Sequence, residues 1–337
     1  MKKVIFTSAI LLASLAAGAQ GLANVWNGFY NQVSPVITTD VQCSWVDAAG
    51  NLYTAGMQQS DVDADIATAN VTTLGNSGSN YFYFCKYNSS GVLQLAKQLN
   101  SSSVNTTDMA GGIVSDASGN IYVTGHFTGT VDFDPGAGTS AKTSTSGGSG
   151  FLAKYSSTGA LLWVQNFGNI YTYPQDIALN PVNGNVWIGG YLIANSSIGY
   201  ADMDPGAGTA SNFGNSNGSV GFYCAYSAAA GSYIANTNYA ICSTTLNYDC
   251  SVNAICFDGT TSNIYLTGSF RGTIYPDNST SGGPPITTSA TKAMFTIRQD
   301  IVNTNVNASY DYFDGSPVNE GTDIAVDASG NIFTAGY

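Results

Sequence analysis

Asp116-Ala-Ser-Gly-Asn-Ile-Tyr-Val-Thr-Gly125 is the stretch that decides the fold, because the chain repeats it. It returns as Asp47-Ala-Ala-Gly-Asn-Leu-Tyr-Thr-Ala-Gly56 and Asp327-Ala-Ser-Gly-Asn-Ile-Phe-Thr-Ala-Gly336, and more loosely over 180–190 and 258–268. With the Asn as marker, positions 51, 120, 185, 263 and 331 lie 69, 65, 78 and 68 residues apart. A period of that length marks a repeat architecture in which each unit buries its apolar face against its neighbours.

Each copy has a physical reading. The Asp carboxylate can accept from the backbone two residues on, Gly can adopt the left-handed conformation, and Asn tolerates it. Asp-x-x-Gly-Asn therefore predicts a tight turn between a short strand, such as Gln175–Leu179 or Asp323–Asp327, and an alternating one, such as Asn120–Gly125. Further on, Phe151-Leu-Ala-Lys-Tyr155 matches Tyr83-Phe-Cys-Lys-Tyr87, Phe222-Tyr-Cys-Ala-Tyr226 and Phe295-Thr-Ile-Arg-Gln299 as a third strand. The turn Ser156-Ser-Thr-Gly159 then leads to a fourth at Leu161–Gln165. Four up-and-down strands per unit predict an all-β protein, a β-propeller of four-stranded antiparallel blades.

The stretch at 119–139 followed by Phe151–Gly159 resembles the SBBP-type β-propeller repeat of secreted bacterial proteins, and Asp202-Met-Asp204-Pro-Gly-Ala-Gly-Thr209 carries the resemblance into the third unit. The resemblance is partial in the first, fourth and fifth units. It implies a propeller and export, and no single activity.

The units are read as 36–103, 104–171, 172–243, 244–315 and a truncated 316–337, so the expected ring is incomplete: four units plus part of a fifth. The expectation is a piece of a ring of about six to eight blades, with a four-bladed ring as the alternative. Asn24–Tyr30, within an N-terminal segment 20–35, resembles the fourth-strand phrase and suits a ring-closing strand. Ahead of it, Lys2 and Lys3, the apolar run Val4–Ala17 and the small residues Ala17-Gly18-Ala19 have the layout of a signal peptide over 1–19, which predicts a secreted or cell-surface protein. That run is too short to span a bilayer, and no later stretch is long enough.

Composition narrows the partners. Charged residues make up 9% of the chain, against about a quarter in an ordinary soluble domain. Glu320 is the one Glu, and the net charge of −12 becomes about −14 once Lys2 and Lys3 are removed. Such a field repels polyanions, so no nucleic-acid partner is expected and an anionic membrane surface is little better suited, which leaves an unknown protein or glycan ligand.

No cofactor is required by these residues, and Ca²⁺ is the one ion they suggest. Asp61, Asp63 and Asp65, then Asp132 and Asp134, then Asp202 and Asp204 alternate in successive loops, and hard cations take clustered oxygen ligands. The competing reading is a turn, since Asp-Pro-Gly forms one unaided. Lys86, Lys154 and Arg298 recur at one strand position, which suggests an ion pair with the repeated Asp or, alternatively, an anionic ligand.

Cys85 and Cys224 suit a small buried position, as do Cys43 and Cys256 on first strands, while Cys242 and Cys250 flank a loop and are candidates for a disulfide. His126 is expected at the surface or rim. Asp249, Asp311 and Asp314 are acids outside the repeat and are expected to be exposed. The function expected is a non-enzymatic binding or scaffold module. A polysaccharide-active propeller enzyme, hydrolase or lyase, and a structural adhesin segment are the alternatives.

Overall fold

The computed structural model describes residues 31–32, 39–58, 61–65, 72–75, 81–101, 108–145, 147–168, 171–194, 201–210, 218–235, 237, 239–241, 249–259, 261–275, 285–288, 292–301, 309–313 and 319–337. The signal segment 1–19, the ring-closing phrase 24–30, Cys242 and Asp314 lie outside them. Among the described residues every regular element is a strand, and the sheets are antiparallel. Residues 1–145 and 151–165 form one compact unit, and residues 146–150 and 166–337 a second.

Four sheets each contain four strands lying side by side. In the first, Thr39–Val46, Leu52–Gln58, Tyr81–Tyr87 and Leu93–Ser101 lie side by side, and in the second, Met109–Ser115, Ile121–Phe127, Ser149–Tyr155 and Leu161–Phe167. The third contains Thr172–Leu179, Val186–Ala194, Gly218–Tyr226 and Tyr239–Ala240. The fourth contains Cys250–Phe257, Asn263–Phe270, Ala293–Asp300 and Ser309–Phe313, and Gly321–Val326 pairs with Ile332–Gly336 in a fifth.

The repeated turn closes as its residues dictate. Asp47 Oδ1 accepts from Ala49 N and Asn51 N, both at 2.9 Å, and Gly50 takes φ +80°. Two contacts go beyond the expectation. Asn51 Nδ2 donates to Asp47 Oδ2 at 2.8 Å, and the Tyr53 hydroxyl donates to the same oxygen at 3.1 Å. Asp116 repeats the set with Asn120 and Tyr122. Burial alone would raise the Asp116 carboxyl, but these donors, Asn120 first, hold it below the usual carboxylate range.

The recurring cation belongs to this cluster. Lys154 Nζ lies 3.9 Å from Asp116 Oδ2 and 4.9 Å from the Tyr122 ring centre, and Lys86 lies over the Tyr53 ring. Where the third unit has Asn180 for the acid, Trp187 and Ala225 replace the tyrosine and the lysine together. The coordinated change supports the structural reading of the cation over an anionic ligand.

Each first strand carries a β-bulge at the same place, between Val41 and Cys43, Ala110 and Gly112, Pro174 and Asp176, Val252 and Ala254, and Gly321 and Asp323. A bulge leaves one residue out of the ladder, and in the first and fourth sheets that residue's side chain reaches the next sheet. Gln42 Oε1 accepts from Ala110 N of the second sheet at 2.7 Å, and Asn253 Nδ2 donates to Gly321 O of the fifth at 2.8 Å. One residue after the bulge in the third sheet, Asp176 Oδ2 accepts from Ile255 N of the fourth at 2.8 Å.

Apolar packing follows the same stacking. Between the first and second sheets, Phe82 meets Phe151 edge-on at 5.3 Å and Phe84 meets Tyr155 at 4.6 Å. In the second compact unit, Trp187, Tyr223, Ile255, Leu266 and Phe295 share one core. These rings bury large areas, and each contact adds about 0.5–1.5 kcal/mol beyond burial.

A second tie is made at the outer strands. The hairpin Thr130–Asp132 with Ala141–Thr143 follows the second strand of the second sheet, yet Val131 and Asp132 pair with Ser101 and Asn100, extending the first sheet to six strands. Correspondingly, Gly168 N donates to Asp202 O at 2.7 Å and Tyr275 N to Ile241 O at 3.2 Å. In the first unit, Val62 and Asp63 pair with Gln32 and Asn31. Asn31–Gln32 thus stands to that hairpin as Asn100–Ser101 stands to the next.

Candidate functional site

The Asp-rich loops are built around the backbone. Asp132 Oδ1 accepts from Asp134 N at 3.1 Å and Ser140 N at 2.8 Å, and Asp202 Oδ1 accepts from Asp204 N at 3.0 Å and Ala210 N at 2.9 Å. Asp63 Oδ1 does the same with Asp65 N and Thr72 N. Asp134 and Asp204 each accept from the glycine two residues on, Gly136 and Gly206. Asp61 lies beside Gly75, where a Cβ would stand 2.5 Å from its Oδ1.

Between the paired acids sit Ala64, Phe133 and Met203, all fully buried. Their carbonyls accept from the hydroxyls of Tyr87, Tyr155 and Tyr226 at 3.0, 3.1 and 2.9 Å. That anchor was not anticipated, although the terminal Tyr of Lys154-Tyr155 and its counterparts was visible in the repeat. Burial first, and then the charges of Asp134 and Asp132, push the Tyr155 hydroxyl well above its ordinary pKa, so it stays a donor.

Among the described residues no three His, Cys, Asp or Glu side chains form a metal-binding group. The hydrogen bonds assign the loop carboxylates a turn-holding role. Asp132→Ala leaves two amides without that acceptor and is expected to cost about 2 kcal/mol, read as a lowered midpoint in thermal denaturation. The loss should be equal in Ca²⁺ and in chelator, and a loss seen only with Ca²⁺ would reassign the loop to a cation.

Other expected positions are resolved singly. His126 is fully buried, not at a surface or rim: it sits on the second strand opposite Met109, in the stacked interior. Cys85 and Cys224 are fully buried and Cys43 and Cys256 partly so, all on strands. Cys250 is buried at the start of its strand, and burial pushes the Cys224 thiol up to about 12 although its contact with the Tyr226 hydroxyl opposes the rise. Asp249 and Asp311 are exposed.

What the repeat does not fix lies at one end of the first and second strands. The residue after the glycine that ends each repeated phrase is Met57, His126, Tyr191, Ser269 or Tyr337. Its partner on the first strand is Asp40, Met109, Tyr173, Ser251 or Glu320 in turn. Neither position is constant, whereas the glycine before it is. A Cβ on Gly125, Gly190, Gly268 or Gly336 would stand 2.0–2.4 Å from the carbonyl oxygen of the partner residue.

Three of these pairs belong to the second compact unit, on neighbouring sheets. Tyr173 and Tyr191 stack with ring centres 5.0 Å apart and planes 17° off parallel. Ser251 Oγ and Ser269 Oγ are 3.1 Å apart. Glu320 accepts from Asn253 Nδ2 at its Oε1, 3.1 Å, and from Lys292 Nζ and the Tyr337 hydroxyl at its Oε2, 2.8 and 3.0 Å. Burial would raise the Glu320 carboxyl, but Lys292, Tyr337 and Asn253 lower it below the usual range. Burial, Tyr173 and the Glu320 charge raise the Tyr191 hydroxyl, which sets both pairs in one electrostatic neighbourhood.

The fold and this unrepeated cluster define an all-β protein of repeated antiparallel sheets with a polar and aromatic patch at one strand end. No protein-family model and no curated protein matches the chain.

Proposed function

We propose that this chain is an exported β-propeller protein of the SBBP repeat type that acts as a non-enzymatic binding or scaffold module at the cell surface or beyond it. The observation that carries the binding reading is the contrast between repeated and unrepeated positions. Turn acids, cations, loop carboxylates and buried tyrosines recur from unit to unit with a structural duty, while the end pairs change from sheet to sheet. Positions that vary on a repeated scaffold are where a rigid repeat presents a ligand surface.

The propeller reading draws support from the ties between sheets. First strands are joined at or beside the bulge, and the hairpin Thr130–Asp132 with Ala141–Thr143 pairs with the fourth strand of the preceding sheet. Asn31–Gln32 holds the corresponding place against the first hairpin, as a ring-closing strand would. The apolar run and small residues of 1–19 support export.

The test is a glycan array and a panel of immobilised extracellular proteins for binding, run beside a polysaccharide-degradation assay. Saturable binding without release of new chain ends is expected. Release of new ends would replace the binding module by the polysaccharide-active enzyme.

A further inference from the structure

We propose that the patch formed by Tyr173, Tyr191, Asn253, Lys292, Glu320 and Tyr337 is a subsite for a neutral sugar ring of an oligosaccharide. This rests on the binding-module reading and assigns it a place and a ligand class.

The chemistry of the side chains selects the class. Tyr173 and Tyr191 are part-exposed and stacked on each other, and the axial C–H groups of a pyranose pack on aromatic rings of this kind. The shorter Ser251–Ser269 pair separates them from the Glu320–Tyr337 pair on the next sheet. A carboxylate has about four acceptor positions, of which Asn253, Lys292 and the Tyr337 hydroxyl use three. Lys292 carries three N–H donors, one of them given to Glu320, and Asn253, whose two N–H groups go to Glu320 and Gly321, contributes its Oδ1 as an acceptor. Donors and acceptors set side by side, across the serine pair from two stacked aromatic rings, suit vicinal hydroxyls, each of which gives and takes a hydrogen bond.

Charge argues against the other classes. A cationic ligand would find Glu320 already neutralised by Lys292 at 2.8 Å. An anionic polymer would meet a chain of net charge −12. An uncharged polyol meets neither obstacle.

Isothermal titration with neutral hexasaccharides of β-1,4-glucose, β-1,4-mannose, β-1,4-xylose and β-1,4-N-acetylglucosamine, and with oligogalacturonate as the anionic probe, tests the proposal. At least one neutral probe should bind and oligogalacturonate should not. Tyr191→Ala and Glu320→Gln should each weaken that binding by about tenfold or more. Tyr191→Phe keeps the ring face and should stay within about threefold of the parent, and Tyr312→Ala on the exposed outer strand should leave it unchanged. Circular dichroism of each variant establishes that it is folded, and the contrast of Phe with Ala at 191 holds the test open should Glu320→Gln unfold. Failure of every neutral probe to bind, equal binding of oligogalacturonate, or parent-like binding by the Ala and Gln variants would overturn the subsite. Neutral binding that ignores those variants overturns the subsite alone, whereas release of chain ends from a bound probe overturns the binding module itself.

Discussion

Replacing Gly268 by alanine is expected to destabilise the protein by about 3 kcal/mol or more, among the largest effects of any single methyl group in the chain. The added Cβ would stand 2.0 Å from Ser251 O and 3.0 Å from the Phe295 ring. Both neighbours are fixed: the carbonyl by the bulge in Cys250–Phe257, and the ring in a core where it is fully buried. The strands must part by roughly an ångström, and that breaks the ladder at the bulge. Gly184→Ala is the matched control, because that turn glycine has φ +71° and nothing within 4 Å of a Cβ. It should lose only about 1 kcal/mol, the ordinary strain of a left-handed alanine. Urea midpoints of the two variants decide the matter, and equal losses would mean that the constant glycine has a different cause.

The second large effect concerns acid. Asp176 joins the third sheet to the fourth, and burial raises its carboxyl to about 7 despite the amides of Ile255 and Ile177 donating to it. The nearby Asp323 charge adds to the rise, and Cys256 is the other titratable group beside it. The folded state therefore holds this proton up to about pH 7, while the unfolded chain releases it near 3.8. Between those values the native state binds more protons, so stability falls as pH rises through the window. Asp108, raised to about 6 by burial, acts in the same direction. The carboxyls held low, Asp47, Asp116 and Glu320, act only below the usual carboxylate range.

For Asp176 the change from pH 5 to pH 7.5 should be on the order of 2–4 kcal/mol, or about 5–10 °C in midpoint. Asp176→Asn, which cannot ionise, should lose at least half of that pH dependence in thermal denaturation. An unchanged slope would show that the carboxyl does not titrate in the interior.

The turns and strands were legible because their causes are local. Asp116, Gly119 and Asn120 specify a turn by their own backbone chemistry, and the alternation after them specifies a strand. The bulge was not legible: Cys43, Gly112, Asp176, Ala254 and Asp323 follow it in the five units and share no chemistry. Its signature was instead the constant glycine across the ladder, whose meaning depends on a carbonyl some 17 residues away. Asp132 and Asp134 were recognised, but alternating carboxylates look the same whether amides or a cation satisfy them. His126 was misplaced because a single imidazole carries no repeat information and its burial is decided by the stacking of neighbouring sheets. Glu320 stood out as the one Glu, yet Asn253 lies 67 residues before it, and only the folded sheets bring the two together.

Native-state hydrogen exchange at the Ala110 and Ile255 amides tests most directly whether the sheets stack through their first strands. Each amide is bonded to a side chain of the preceding sheet, Gln42 and Asp176 respectively. Stacked sheets predict slow exchange at both amides, released selectively at Ala110 by Gln42→Ala and at Ile255 by Asp176→Ala. Exchange at the rate of open loop amides in the parent protein would contradict the stacking.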